Sequence, residues 1–252
     1  MSFPLVKYVL MAALRDKLVI SMLISFVVGA SLSLFLGSAA IVEKDAFSLV
    51  FAASALRLIS VFGLVLFIIF FVRRSFESKD IEFLLSRPVG RVSIIFSYAF
   101  AFLILAVLVS VAVGGVLFAI APHMFGVNHI CWLITIAVEA VIMVNIAFFF
   151  SMQISSAASA SMLTVAFYVL GRMMGQLLGI VDSDLVDGSG LFAMTLQLVS
   201  VITPRLDLLG QSSWLLYGVS DFSTIIYAVA QGAVFSFLVL CAASLDFIRR
   251  QF

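Results

Sequence analysis

The sequence predicts an all-α polytopic membrane protein with about six transmembrane helices, and three observations carry that reading. Of its 252 residues 64% are hydrophobic and only 11% charged, with a mean hydropathy of +1.29 and 26 phenylalanines, more apolar surface than a water-soluble domain can hide. The apolar residues come in continuous runs, and about 20 such residues in a helix cross a hydrocarbon core of roughly 30 Å. Those runs do not alternate inward and outward, which excludes a β-barrel. A formal net charge of +1 gives no sign of a nucleic-acid partner.

The runs follow in order as Leu18 to Ala40, Ala52 to Val72, Val92 to Ala121, Cys131 to Phe150, Met162 to Val181 and Ser223 to Leu245. The first follows Lys7, Arg15 and Lys17, a basic start like that of a secretion signal, but its apolar run is too long for a cleaved one and reads as a retained helix. Lysine and arginine are kept on the cytoplasmic side of a membrane. With the N-terminus inside, ten of the fourteen fall on inner segments: Lys7, Arg15, Lys17, Arg73, Arg74, Lys79, Arg87, Arg91, Arg249 and Arg250. The outer segments keep Lys44, Arg57 and Arg205, and Arg172 lies within a span. Both termini are therefore expected to be cytoplasmic, and residues 1–252 read as a single membrane domain. Cys131 and Cys241 fall near opposite faces in this topology, so no disulfide is expected.

The loops are unequal. His123 and His129 bracket a short outer loop, Ser151 to Ser161 forms a small polar inner turn, and 182–222 is a long outer excursion. Within it Leu191 to Ile202 is apolar, but about 12 helical residues reach only about 18 Å, too short to cross. A pair of short re-entrant or interfacial helices is expected, with Pro204 at the turn and Trp214 and Tyr217 in the outer headgroup belt.

Between the second and third runs lies Arg73 to Arg91, RRSFESKDIEFLLSRPVGR. As a helix it would set Ser75, Ser78, Lys79 and Glu82 on one side and Phe76, Ile81, Phe83, Leu84 and Leu85 over a broad opposite arc, interrupted by Glu77 and Asp80. Pro88 lacks an amide proton and biases Arg87 away from helical geometry, so the helix should stop there. Such a segment either rests on anionic lipid or docks a cytosolic subunit.

Leu84, Leu85, Ser86, Arg87, Pro88, Val89, Gly90 and Arg91 closely match a Leu-Leu-Ser-Lys/Arg-Pro-Val-Ser-Arg-like stretch, and Glu77 and Glu82 fit the positions before it. Together with Leu14-Arg15-Asp16-Lys17 and Pro204-Arg205-Leu206-Asp207-Leu208, this pattern resembles, over essentially the whole chain, the permeases of the type-2 exporter class of ATP-binding-cassette transporters, in the branch associated with multicopper-enzyme maturation. The chain departs from that pattern at Ser75, where a glutamate is common, and at Lys79-Asp80, where a Gly-Thr pair is common. The resemblance implies a bacterial-type inner-membrane permease subunit paired with a second permease copy or homologue. Its loop residues Glu77, Ile81, Glu82, Phe83, Leu84, Leu85, Arg87, Pro88 and Arg91 would couple to a separate cytosolic ATPase, which would hold the ATP and magnesium. Consistently, the chain contains no Gly-x-x-x-x-Gly-Lys-Ser/Thr phosphate loop, so neither a cofactor nor catalysis is expected on it. The alternative is a non-transporting membrane scaffold or assembly factor that recruits a cytosolic partner through the same loop.

Two features inside the spans stand out. Ser21, Ser25, Gly29, Ser33 and Gly37 recur every four residues in the first, as do Gly171, Gly175 and Gly179 in the fifth. Such stripes let helices approach closely, either within one chain or, as the resemblance implies, at a dimer seam. Glu139 lies eight residues into the fourth span and Arg172 nine from the end of the fifth, so the two are expected to form an intramembrane ion pair. That pair would either line a substrate path or bridge helices statically. Asp182, Asp184 and Asp187 lack the spacing of a calcium loop, and no metal site is expected. Gly210-Gln211-Ser212 and Gly218-Val219-Ser220 have no histidine within a span to activate a serine, which argues against protease chemistry. Lipid, peptide, drug, ion and copper-related cargo all remain open.

Overall fold

A computed structural model describes residues 2–39, 43–78, 90–181, 190–219 and 221–249. Every regular element among the described residues is helical: α1 (Phe3–Arg15), α2 (Lys17–Ala39), α3 (Lys44–Glu77), α4 (Arg91–Ile120), α5 (Val127–Gln153), α6 (Ala157–Val181), α7 (Leu191–Ile202), α8 (Trp214–Tyr217) and α9 (Phe222–Arg249), with 3-10 turns at Pro122–Met124 and Leu206–Leu208. Six of them, α2, α3, α4, α5, α6 and α9, are long and apolar enough to cross a membrane, and each coincides with one of the six expected runs. The protein is thus an all-α, multi-pass membrane protein.

Two boundaries differ from expectation. The basic stretch before the first run is a helix of its own, α1, which buries Leu5, Val6, Val9 and Ala13 on one face and packs on α4. It ends where Asp16 turns extended, and the Asp16 carboxylate then accepts the Leu18 N–H at 2.8 Å, capping the start of α2. The second spanning helix, α3, begins at Lys44, well before the apolar run at Ala52, and its 34 residues reach about 51 Å, beyond the hydrocarbon thickness.

Helices α3 and α5 bury most of their spanning surface and pack on each other, while α2, α6 and α9 leave most of theirs outward. Because lipid tails are as apolar as leucine, packing density and small residues must hold such helices together. A Cβ on Gly29 would lie 3.4 Å from Ile59 Cδ1, one on Gly63 would lie 2.6 Å from Met22 Sδ, and one on Gly37 would overlap the Ser48 hydroxyl. Ser33 is fully buried, and Ser25 donates its hydroxyl to the Ser21 carbonyl of its own helix. On α6, Gly171 lies against Leu206 and the Pro204 carbonyl and Gly175 against the Asp207 carboxylate, while nothing faces Gly179. Gly29, Ser33, Gly37, Gly171 and Gly175 therefore serve packing within the chain rather than a free seam.

Contacts sort the helix ends into two sets. At one end Ser2 N–H donates to Ser97 Oγ at 2.8 Å, Arg74 meets Asp16 at 3.5 Å, and Arg91 Nη1 donates to the Ile248 carbonyl at 3.1 Å. This gathers the start of α1, the end of α3, the start of α4 and the end of α9 into a basic end. Phe71, Tyr98, Phe102 and Phe148 interlock just inside it, with ring centroids 5.5 to 6.3 Å apart, and tie α3, α4 and α5 together. At the far end His123 Nε2 lies 3.3 Å from Asp45, and a Cβ on Gly218 would lie 3.1 Å from Asn128.

Candidate functional site

The polar centre of the molecule lies where three apolar helices each carry charge or hydroxyls at matched depth. Arg57 sits thirteen residues after Lys44 on α3, and Glu139 twelve after Val127 on α5, so both lie about 18–20 Å from the far-end starts of their helices. On α5, Thr135 shares a face with Glu139 at a four-residue spacing, and on α6 Tyr168 does so with Arg172.

Arg57 grips Glu139 in a two-pronged ion pair, with Nε donating to Oε2 at 2.8 Å and Nη2 to Oε1 at 2.8 Å. Glu139 is completely buried and Arg57 is 5% exposed. The other donors of Arg57 hold backbone: Nη1 donates to the Gly210 carbonyl at 2.6 Å and Nη2 to the Leu209 carbonyl at 3.1 Å. From the other side Arg172 Nη1 donates to the Leu206 carbonyl at 2.6 Å and to Leu209 at 2.9 Å. The expected pair between Glu139 and Arg172 is therefore replaced. Glu139 belongs to Arg57, and Arg172 binds carbonyls.

Those carbonyls belong to the non-helical segment after α7. Pro204 prevents the helix from continuing, and Gln231 of α9 caps its end, donating Nε2 to the Ser200, Val201 and Thr203 carbonyls at 2.9 to 3.1 Å and accepting the Arg205 N–H at 3.2 Å. The chain then makes the Leu206–Leu208 turn and buries Leu206 and Leu209. Gly210 adopts φ +57°, a conformation that favours glycine, and its N–H donates to Thr135 Oγ1 at 3.2 Å. Irregular backbone at this depth needs its polar groups satisfied by protein. Two guanidiniums and a threonine meet that need. Arg205 and Asp207 pair at 2.7 Å beside Gly175.

This differs from the expected pair of short helices. α7 is the first, but beyond Pro204 the chain forms a turn and the four-residue α8, because its carbonyls go to arginine side chains instead of a helical ladder. Trp214 is buried against the bundle rather than placed in a headgroup belt, whereas Tyr217 is outward. His129 sits in the first turn of α5, where Nδ1 accepts the Gly126 N–H at 3.3 Å.

Between α3 and α6 lies an open groove of about 310 Å³, with Arg57, Arg172, Tyr168, Ser54 and Ser212 lining it and the exposed side chains of Leu58, Val169 and Met173 at its wall. Ser54 and Ser212 share a hydrogen bond of 3.0 Å across it. Among the described residues no group of three or more histidine, cysteine, aspartate or glutamate side chains is placed to hold a metal. Asp182, Asp184 and Asp187 lie outside them.

The second expected site is only framed. Glu77 ends α3 and is exposed, and Arg91 begins α4 and reaches the carbonyl end of α9. Ile81, Glu82, Phe83, Leu84, Leu85, Arg87 and Pro88 lie outside the described residues. Arg57 was missed as a site residue because the apolar run starts at Ala52, which puts it near a span's edge; measured from Lys44 it is deep. An arginine within an otherwise apolar run was the available signal. Compared with known protein families and with curated proteins, the chain matches none of them.

Proposed function

We propose that the chain is the membrane-spanning permease subunit of an ATP-driven exporter. Its basic end takes up a separate cytosolic ATPase, whose ATP- and magnesium-driven closure moves the helices. The observation that carries this reading is the segment 73–91: a charged, amphipathic stretch with the LLSRPVGR resemblance, framed by Glu77 at the end of α3 and Arg91 at the start of α4. Both frames lie at the basic end, beside Asp16 and the last turn of α9. A cationic end is the one retained in the cytoplasm, which supports an inner-membrane subunit with both termini inside. In this reading the chain pairs with a second permease copy or homologue.

Co-purification of the full chain with an ATPase, followed by hydrolysis and transport assays, tests the proposal. Leu84→Asp, which places a charge on the apolar face of the docking segment, should weaken ATPase binding severalfold and uncouple hydrolysis from transport while insertion is unchanged. Unchanged binding and transport in that variant would count against docking. A stable partner that binds no nucleotide, with no ATPase recovered, would favour a membrane scaffold instead.

A further inference from the structure

We propose that the groove between α3 and α6 is a binding site for the phosphate headgroup of an anionic membrane lipid, held on the open edge of Arg172. The first argument is charge. In this region Glu139 is matched by Arg57 and Asp207 by Arg205, which leaves Arg172 as a cation with no carboxylate of its own. A lone guanidinium among apolar helices is costly and is relieved by pairing. Carbonyl dipoles supply part of that relief, but no countercharge.

The second argument is geometry. Among the described residues every hydrogen bond of Arg172 runs from Nη1, so the Nε and Nη2 edge has no partner there. It is with this same edge that Arg57 grips the two oxygens of Glu139. A planar fork of that kind fits two oxygens of a phosphate as well as those of a carboxylate. Arg172 lines the open groove together with Tyr168, Ser54 and Ser212. The Ser54 hydroxyl donates to the Val50 carbonyl at 2.9 Å and accepts from Ser212, and the Tyr168 hydroxyl is bonded to Glu139, so the guanidinium edge is the donor left for the headgroup.

The third argument distinguishes a lipid from free phosphate. Leu58, Val169 and Met173 are between 44% and 46% exposed at the groove wall, on helices whose outward surfaces meet acyl chains. An inorganic ion gains nothing from that wall, whereas a lipid lays its chains along it while its headgroup meets Arg172. This inference goes beyond the transporter reading and requires neither an ATPase nor transport.

Thermal unfolding of the full chain in a non-ionic detergent, with added phosphatidylglycerol, phosphatidylcholine of the same acyl chains, or inorganic phosphate, tests it. Phosphatidylglycerol should raise the midpoint and the other two should not. Arg172→Lys keeps a cation for the carbonyls but loses the fork, and should raise the phosphatidylglycerol concentration needed by about tenfold. If that variant does not fold, Val169→Trp remains: it changes an outward-facing side chain, fills the groove, and should abolish the shift while leaving the lipid-free midpoint unchanged. An equal response to phosphatidylcholine or to inorganic phosphate, or a full phosphatidylglycerol shift in Val169→Trp, would overturn the assignment. No ATPase is present, so failure here is separate from failure of the transporter reading.

Discussion

The two ends of the helix bundle use the same residue type in opposite ways. Toward the far end, arginines turn inward: Arg57 and Arg172 hold the carbonyls of Leu206, Leu209 and Gly210, and Arg57 also clamps a completely buried glutamate. At the basic end they lie half-buried or exposed. The Arg74 side chain is 68% exposed in its 3.5 Å contact with Asp16, Arg73 lies over the Phe76 ring at 5.8 Å, and Arg91 meets the carbonyl end of α9. The difference teaches where charge serves folding and where it is left for a partner. A buried pair must be complete because one unpaired partner is costly. An exposed pair contributes little whether it forms or not.

The largest effect should come from breaking the buried pair. Glu139→Ala leaves Arg57 charged and half-partnered, which should cost about 3 kcal/mol or more and strip most folded protein from detergent extracts. The double variant Arg57→Met, Glu139→Leu should recover much of that loss, read as the thermal midpoint. No recovery would mean that the hold on Leu209 and Gly210, not the ion pair, is what matters.

A smaller loss is expected from Arg172→Met. The Leu206 carbonyl loses its guanidinium donor but keeps the Leu209 N–H at 3.1 Å, and the Leu209 carbonyl keeps Arg57. The loss is therefore that of hydrogen bonds to a charged group, about 1.5–3 kcal/mol, rather than of an unsatisfied acceptor. Limited proteolysis should then cut within 203–212 faster than in the parent chain. Arg74→Ala should sharpen the contrast from the other side, costing under about 1 kcal/mol because its contact is exposed. If it destabilises as strongly as Glu139→Ala, the distinction between the ends fails.

The smallest effect concerns Asp221, an exposed charge at the far end, just before α9. Its carboxylate accepts hydrogen bonds from the hydroxyls of Thr224 and Ser223 and from the Ser223 N–H, which holds it below the usual carboxylate range. A depressed folded value means the contribution is complete above the unfolded value of about 3.9 and fades as pH falls through the folded one. NMR titration should show that low value, and Thr224→Val should move it upward.

How much of this was legible beforehand varied with the kind of interaction. The six spans were, because a continuous apolar run and a helix that crosses lipid are the same object seen twice. Glu139 and Arg172 were recognisable as unusual, since charge inside a span is expensive wherever it falls. Their pairing was not. Arg57 looked marginal when depth was counted from Ala52, and only the helix start at Lys44 brings it level with Glu139. Likewise, the stripe of Gly171 and Gly175 promised a close neighbour without naming it. The neighbour is the segment around Leu206 and Asp207, more than thirty residues on in the chain.

By itself the sequence determined the solvent this protein lives in, the number of its crossings and the basic character of the end that carries residues 73–91. These depend on local composition, which a chain cannot hide. Tertiary structure alone decided that Arg57 closes on Glu139 and that Arg172 holds the Leu206 and Leu209 carbonyls. Those choices join residues 34 to 82 positions apart. They depend on which helix faces which, and on irregular backbone needing donors where there is no water to supply them.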